Sequence, residues 1–351
     1  MEEALRQFAL KGDITAISPL GNGLINKTFR VDTTEASYVF QYVNVTVFPN
    51  VEGLMSNIDL VTKHLEKKGI PTLSVIPTKD GKSFLCHEGE YLRGYEFIED
   101  AFCYEKLPSL DLVEACAKGF GIFHRGLADL DATKLVDVIP GFHDTPKRWQ
   151  AFQDALRKNA ASRAHECMEE ICFLQSQTDV YPLLMDGLKR GEVRYCVAHN
   201  DPKINNVAFS KKDGSVRCVL DLDTVMGGTF LFDFGDGLRS LFTGDNEDNR
   251  DTSLMKVDVD VYRAYLRGYM EQMRDVVTRE EVALMPYSVL VITLELAMRF
   301  LMDFLNGDVY FRVSCPDHNL VRARTQIALA KDILLHLPEL ASITEQEMQA
   351  K

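Results

Sequence analysis

The first hundred residues alternate apolar and polar positions in short runs separated by turn residues, a pattern typical of β-strands. Such runs are "ITAISPL", "KTFRVDT" and "SYVFQYVN", and "GKSFLCHEGEYLRGYEFIED" contains two more on either side of a turn at "HEGE". Residues 51–68 instead repeat apolar positions at helical spacing and end before "GIPTLSVIPT", a helix stop followed by a strand. This part is predicted to be β-rich with one main helix, after a short helix over residues 2–11.

From about residue 108 the pattern changes to long helical segments, interrupted only around residues 193–235. The interruption contains two strand-like runs, "NNVAFS" and "SVRCVLDLD", on either side of "KKDG", whose Asp-Gly pair favours a tight hairpin. We therefore predict an α+β chain with two lobes. The smaller, β-rich one covers residues 1–99 and the larger, mainly helical one residues 100–351.

Composition and charge restrict the class of function. The chain of 351 residues has 52 acidic and 39 basic side chains and a formal net charge of −13, so it lacks the basic face of a nucleic-acid binder. The N-terminal "MEEALRQFALKGD" does not have the pattern of a signal peptide, and the longest charge-free apolar stretch, residues 282–294, is too short to span a bilayer. We expect a cytoplasmic protein with neither nucleic-acid nor membrane partners.

A polar cluster lies directly before the predicted hairpin, in "AHNDPKINNVAF", residues 198–209. A second one, Asp221 and Asp223, lies at the far end of the hairpin. A hairpin brings its two ends to the same side. Asn206 and Asp221 are therefore expected to lie close together.

Phosphoryl transfer to an alcohol requires a carboxylate near the attacking hydroxyl and oxygen ligands for Mg²⁺, and the pattern H-x-D-x-x-x-x-N supplies both. We predict that Asp201 accepts the proton of the hydroxyl and that Lys203 neutralises charge on the transferred group. Asn206 and Asp221 would hold the metal, with Asp223 as a second ligand. The alternative is an Asx-rich turn that only caps the hairpin, but turn chemistry would not require Lys203 or the acidic pair.

Three further segments are predicted to be structural. "FDFGD" contains the letters of the protein-kinase metal motif but lies well beyond the hairpin, so Asp233 and Asp236 are expected to make structural hydrogen bonds or ion pairs. His124 lies on an apolar helical stripe and is interpreted as a buried structural histidine. His143 and Asp144 precede "TPKRW", a helix start, and receive no catalytic role.

The segment "PLGNGLINKTFRV" places glycines between two strands, which favours a flap over ATP phosphates and not a dinucleotide fold, where a helix should follow. Without the other motifs, an ordinary hairpin turn would explain it. "YEFIED" is predicted to form a hinge whose backbone contacts adenine. The predicted ATP-binding residues of flap, strands and hinge are Gly21, Asn22, Gly23, Asn26, Lys27, Gln41, Glu96, Phe97 and Ile98.

Together these motifs resemble the aminoglycoside phosphotransferase and choline kinase superfamily, small-molecule kinases with a protein-kinase-like bilobal fold. The resemblance covers almost the full chain and is closest to the N-acetylhexosamine 1-kinases, through "GNGLINKTF", "FQYVNVTVFP", "FHDTP", "HNDPKINN", "LDLDTVMGGTFLFDFGD", "MRFLMDFLNGDVYF" and "HNLVRARTQI". It implies ATP- and Mg²⁺-dependent phosphorylation of GlcNAc or GalNAc at the anomeric hydroxyl. We expect a monomer that binds a small-molecule sugar.

Two positions depart from the superfamily pattern. Such kinases usually carry a lysine on the third strand that contacts the ATP phosphates, and the matching residue here is Gln41. A neutral amide cannot replace that charge, so the phosphates must be anchored from elsewhere, for example by Lys27 or the metal. In the glycine loop, Leu24 stands where the sugar 1-kinases tend to have histidine.

The segment "VLVITLELAMRFLMDFL", residues 289–305, is apolar around nearly its whole circumference and is predicted to be a buried helix. Its charges Glu295, Arg299 and Asp303 are spaced by four and share one stripe, which could equally be a salt ladder that reaches solvent. In the functional interpretation, Arg299 and Asp303 bind sugar hydroxyls or the N-acetyl carbonyl. Tyr310 would stack on the pyranose ring, although a core tyrosine fits nearly as well.

Rival functions remain open at this stage. Other small-molecule kinases of the superfamily act on choline, aminoglycosides, homoserine or methylthioribose. Choline requires an aromatic cage, and an aminoglycoside pocket should be rich in carboxylates, which Arg299 disfavours. A catalytically silent nucleotide-binding module is a further alternative, which Gln41 keeps open and the intact Asp201, Asn206 and Asp221 argue against.

Overall fold

The computed structural model describes residues 1–21 and 25–349. The N-terminal lobe is an antiparallel sheet in the order β1-β2-β3-β6-β4, with β5 also paired to β6. Its elements are α1 (Glu2–Leu5), β1 (Ile14–Pro19), β2 (Lys27–Thr33), β3 (Ser37–Tyr42), α2 (Val51–Lys67), β4 (Val75–Ile76), β5 (Leu85–His87) and β6 (Glu90–Glu96). The first helix is shorter than expected and β4 has only two residues, whereas the main helix has the predicted position.

The register of the central strands determines which side chains face each other in this lobe. β3 pairs with β6 so that Gln41 lies opposite Arg93 and Phe40 opposite Gly94. One sheet face is covered by α1, whose Leu5 packs with Phe40 and Val31 in a separate small core. The β-rich character predicted from the alternating pattern is confirmed.

The chain changes from one sheet to another directly after β6. Residues 97–100 lead into β7 (Ala101–Phe102), which pairs with β9 in the second lobe. The elements of that lobe are α3 (Leu110–Leu127), α4 (Thr145–Lys158), α5 (Met168–Gln175), α6 (Leu183–Arg190), β8 (Cys196–Ala198), β9 (Val207–Ser210), β10 (Val216–Val219), β11 (Met226–Gly228), α7 (Phe230–Thr243), α8 (Val259–Met273), α9 (Arg279–Asn306) and α10 (His318–Gln349). The bilobal, mainly helical second half agrees with the sequence pattern.

The long helix α9 forms the centre of the second lobe, where it packs against α4, α7 and α10. It begins with a capping box at Thr278 and ends at Gly307 in the left-handed conformation. Leu294, Ala297 and Leu301 are completely buried, as the apolar circumference predicted. Among the described residues, no helix combines the length and apolarity needed to cross a membrane.

Two short antiparallel pairs interrupt the helices and carry the polar clusters. β9 and β10 form the predicted hairpin, and Gly214 in its turn has a φ of +70°, which suits glycine. At the open end, the Leu220 amide donates to the Asn206 carbonyl at 2.8 Å. The residues before β9 and after β10 therefore lie side by side, as the hairpin argument predicted.

Helices α7 and α9 approach most closely at Gly235. A Cβ atom built on Gly235 would lie 2.5 Å from the backbone oxygen of Ser288 on α9. Because the obstacle is helix backbone, a small side-chain movement cannot relieve the clash. The glycine of "FDFGD" is therefore explained by helix packing.

We expect Gly235→Ala to lower the free energy of unfolding by about 1–3 kcal/mol, because the added methyl overpacks this crossing. Urea denaturation followed by circular dichroism would measure it. Ser240→Ala, a small change at a partly buried position of the same helix, is the control and should stay within about 0.5 kcal/mol of wild type. Equal stability of both variants would contradict the packing argument.

Candidate active site

A cleft of about 430 Å³ lies between the two lobes. Of the predicted site residues, those that line it are Gln41, Glu96, Phe97, Ile98, Asn206, Asp221 and Asp223. Gly21, at the end of β1, has a φ of +67°, and Lys27 is exposed at the start of β2. The predicted flap residues Asn22 and Gly23, together with Leu24, lie outside the described residues. The cleft thus joins the predicted hinge to the hairpin.

Asp201 projects from the loop before β9 and is partly exposed. Its Oδ1 accepts an ion pair from Lys203 Nζ at 2.8 Å, and its Oδ2 lies 3.3 Å from the Asn206 amide nitrogen. Burial lowers the pKa of Lys203, but the Asp201 carboxylate outweighs it and the net shift is upward. The Asn206 nitrogen also donates to the Asp201 carbonyl at 2.8 Å, which leaves its Oδ1 as the atom that can ligate a cation.

Asp233 on α7 holds the backbone of this loop through hydrogen bonds. Its two carboxylate oxygens accept the backbone amides of His199 and Asn200, both at 2.6 Å. His124 Nε2 lies 2.7 Å from the same carboxylate, and the other ring nitrogen meets the Tyr269 hydroxyl at 2.9 Å. The predictions that Asp233 and His124 are structural are confirmed.

His199 acts as a neutral spacer between the two polar clusters. Its Nε2 donates to the Leu220 carbonyl at 2.8 Å, and its Nδ1 accepts the Asp201 amide at 3.3 Å. Complete burial lowers the pKa of His199, which favours the neutral ring that these two bonds require. The imidazole therefore fixes the distance between the Asp201 loop and the end of β10.

Asp221 follows β10 in the left-handed conformation, with a φ of +55° that residues other than glycine, asparagine and aspartate rarely adopt. Its exposed surface faces the cleft between the lobes. Desolvation within the cleft, with the Asp223 and Asp201 carboxylates, raises the pKa of Asp221 to about 7. A cation at this point would relieve the repulsion.

Asp223 is buried and joins the two lobes. Its Oδ2 accepts the Asn26 amide at 2.7 Å, and its Oδ1 pairs with Arg93 Nη1 at 2.6 Å. Both oxygens thus have protein partners, whereas the Asp221 oxygens have none among the residues that the structure describes. Asn26 also accepts the Asn44 amide at 3.0 Å, so this predicted ATP-binding residue contacts protein on both sides. The role of Asp223 as a second metal ligand stays a prediction.

Sequence reasoning did not identify Arg93. It lies in the middle of β6, is 1% exposed, and donates from Nε and Nη2 to Gln41 Oε1 at 3.1 and 2.8 Å. Burial acts to lower its pKa, but the Asp223 carboxylate reverses the effect and the net shift is upward. An available signal was the single arginine in the otherwise uncharged run "YLRGY".

The residues fit a magnesium ion that is shared with a nucleotide. The described part of the chain contains no cluster of three or more His, Cys, Asp or Glu side chains able to hold a metal by itself. Mg²⁺ usually binds through one or two protein oxygens together with substrate phosphates and water. Asn206 Oδ1 and Asp221 supply two such oxygens at one edge of the cleft.

The predicted sugar-binding residues on and after α9 have different environments. The Arg299 guanidinium lies 5.2, 5.6 and 6.0 Å from the ring centres of Phe142, Phe311 and Tyr310. We call these four side chains the arginine cage. Tyr310 is 67% exposed, so the interpretation as a core tyrosine is wrong.

The predicted sugar contact of Asp303 is corrected by the structure. Asp303 is 2% exposed, and it accepts the backbone amides of Val309, Tyr310 and Phe311 at 2.8–2.9 Å. It also accepts the Asn319 side-chain amide at 2.9 Å. A carboxylate with four donors has no free lone pair to offer a ligand, and its function is to shape the loop that carries Tyr310.

Glu295 does not belong to a row of salt bridges that reaches solvent, because it is buried. Its two oxygens meet His143 Nδ1 at 2.8 Å and the Thr145 hydroxyl at 2.5 Å, both from the segment before and at the start of α4. Burial opposes ionisation of Glu295, yet His143 and then Arg299 contribute to a lowered pKa. The α4 segment is thereby fixed beside the arginine cage. Asp144 caps α4, which begins at Thr145 where the sequence predicted a helix start.

Asp236 on α7 is buried and forms an ion pair within the helix. Asp236 pairs with Arg239 at 2.5 Å, which confirms its predicted structural role. Burial opposes ionisation of Asp236, but Arg239 lowers its pKa, and His143 and Lys203 lower it further.

The bilobal fold and the polar loop facing the interlobe cleft define a protein-kinase-like phosphotransferase. A family model described as the phosphotransferase enzyme family matches residues 16–276, and the chain belongs to this family.

Solved structures share the fold at low sequence identity. A microcompartment-associated aminopropanol kinase has a TM-score of 0.66 and 15% identity, and the match covers 97% of each chain. A spectinomycin phosphotransferase in complex with ADP and spectinomycin has a TM-score of 0.56 and 15% identity over 98% of this chain and 97% of that one. Choline kinase from Cryptosporidium parvum has a TM-score of 0.56 and 14% identity, and the match covers 92% of this chain and 90% of that one.

We expect Asp233→Asn to destabilise the protein by about 3 kcal/mol, because an amide NH₂ would face a donor of His199, Asn200 or His124 in a buried site. The unfolding midpoint in urea measures this. Asp213→Asn, the same change at the exposed hairpin tip, should leave the midpoint almost unchanged. If the two variants behaved alike, Asp233 would not support the loop.

Proposed function

We propose that this protein is an ATP- and Mg²⁺-dependent kinase that phosphorylates N-acetylhexosamines, GlcNAc or GalNAc, at the anomeric hydroxyl to give the sugar 1-phosphate. The observation that supports the proposal is that Asp201 contacts Asn206, while Asn206 and Asp221 both line the interlobe cleft. A carboxylate beside two metal-binding oxygens is the arrangement that phosphoryl transfer to an alcohol requires. The hinge residues Glu96–Ile98 line the same cleft, where adenine would bind.

In the proposed reaction, the anomeric hydroxyl oxygen forms a bond to the γ-phosphorus of ATP and the bond to the ADP oxygen breaks. The hydroxyl proton passes to Asp201, whose Oδ1 and Oδ2 lie within reach of Lys203 and Asn206. Lys203 places positive charge beside the reacting oxygen. Mg²⁺, held by Asn206 and Asp221, would neutralise charge on the phosphates.

The arginine cage supports a neutral, hydroxyl-rich acceptor. Arg299 can donate to a sugar hydroxyl or to an N-acetyl carbonyl, and the exposed face of Tyr310 can stack on a pyranose ring. In this proposal, a sugar held by the arginine cage presents its anomeric hydroxyl to Asp201.

The same contacts disfavour two rival substrates. The rings of Phe142, Phe311 and Tyr310 already surround the protein's own cation, so they do not form an open cage for choline. The carboxylates of Glu295 and Asp303, which could attract an aminoglycoside, are occupied by protein donors. The charged group of α9 that a ligand can contact here is the Arg299 guanidinium.

A coupled assay of ADP release would test this proposal with GlcNAc, GalNAc, glucosamine, methylthioribose, homoserine, choline and kanamycin. We expect Mg²⁺-dependent ADP release with the N-acetylated sugars, and NMR should show the phosphate on the anomeric carbon. Higher kcat/KM with any other acceptor would refute the sugar assignment. ATP binding without turnover on the whole panel would favour a silent nucleotide-binding module.

Asp201→Asn should abolish turnover almost completely while ATP affinity stays close to wild type, because Asp201 contacts the acceptor side of the site. Kinetics with the best acceptor and calorimetry with ATP separate these effects. Asp213→Asn makes the same chemical change 12 residues along the chain at the hairpin tip and should keep full activity. Wild-type kcat in Asp201→Asn would disprove the role of base.

A further inference from the structure

The position of Gln41 raises the question of which cation meets the phosphates at the back of the cleft. In protein kinases a third-strand lysine, paired with a helix glutamate, holds them. Here the third strand offers a carboxamide, whose nitrogen donates to the Thr28 hydroxyl at 3.1 Å. The Gln41 oxygen in turn accepts hydrogen bonds from Arg93.

Arg93 lies directly opposite Gln41 on the adjacent strand and lines the same cleft. Of its five N–H hydrogens, two bond to Gln41 Oε1, while Nη1 forms the ion pair with Asp223 and lies 4.0 Å from the Met55 sulfur. Among the residues that the structure describes, the second hydrogen on Nη2 has no acceptor. A buried, positively charged group with a spare donor is suited to an anionic ligand.

The carboxylate that pairs with this cation also comes from a different element than the helix glutamate of protein kinases. The α2 side chain that contacts the guanidinium is Met55, which carries no charge. The carboxylate comes instead from Asp223 in the second lobe, at 2.6 Å. An arginine on β6 and an aspartate after β10 thus form a pair with the charges of the lysine–glutamate pair.

Two other cations are placed less favourably for this task. Lys27 is exposed at the beginning of β2. Lys203 is bound to Asp201, on the acceptor side of the site. Arg93 is held by bonds from both lobes, so its charge is fixed before a ligand arrives, which reduces the cost of ordering it on binding.

We propose that Arg93, oriented by Gln41 and Asp223, is the residue that binds the phosphates of the nucleotide, in place of the third-strand lysine. This inference rests on the proposed use of ATP. It adds a nucleotide-binding residue and explains why a neutral residue on the third strand is compatible with phosphate binding. Gln41 serves as a positioning residue, since its oxygen receives two of the guanidinium hydrogens.

Calorimetric titration with ATP, ADP and adenosine, in the presence of Mg²⁺ and without sugar, tests the inference. For Arg93→Met we expect ATP and ADP to bind about 10- to 100-fold more weakly, as for loss of a charged hydrogen bond, while adenosine affinity is unchanged. Arg93→Lys keeps the charge and should show a smaller loss, also confined to the phosphorylated ligands. Lys63→Met, which removes an exposed charge from α2, is the control and should bind all three like wild type.

ATP binding as tight as wild type in both Arg93 variants would overturn the inference. So would an equal loss of ATP and adenosine affinity in both, since this would indicate that Arg93 only supports the fold. Adenosine binding also reports whether each variant retains an intact cleft. A wild-type protein that bound adenosine but not ATP would instead count against the proposed kinase function.

Discussion

Three donors from two segments converge on the carboxylate of Asp233, and the shape of the loop that carries Asp201 depends on this convergence. Two of the donors are the consecutive amides of His199 and Asn200, and the third is the His124 ring. They fix the loop backbone just before Asp201, so the loop has a defined shape without any ligand. The neutral ring of His199 then hydrogen-bonds to the Leu220 carbonyl after β10, next to Asp221.

A second buried carboxylate determines how the lobes meet. Asp223 accepts a hydrogen bond from Asn26, just before β2, and forms an ion pair with Arg93 on β6, so polar contacts close the base of the interlobe cleft. Burying an aspartate and an arginine in this way is unfavourable unless the two are paired. Among the described residues, neither Asp223 nor Arg93 has another opposite charge within bonding distance. If the lobes separated, both charges would therefore lose their partner.

Much of this architecture could be predicted from the pattern of apolar positions and from one hairpin. The Asp213-Gly214 turn alone brought Asn206 and Asp221 together, since hairpin geometry is local. Arg93 was missed because its significance lies in strand register, which places it opposite Gln41 and which single-strand patterns do not specify. Asp303 was misassigned because helical spacing showed its stripe but not the loop amides that return to it.

The arginine cage is built on α9, the most central helix of the larger lobe. Arg299 extends from a helix whose neighbouring side chains are completely buried, while Tyr310 lies on the loop that follows. Replacement of residues on α9 would disturb the interior of the protein, whereas the loop can vary at little cost to folding. In evolution, acceptor preference in this scaffold should therefore diversify through the loop, with the helical anchor inherited unchanged.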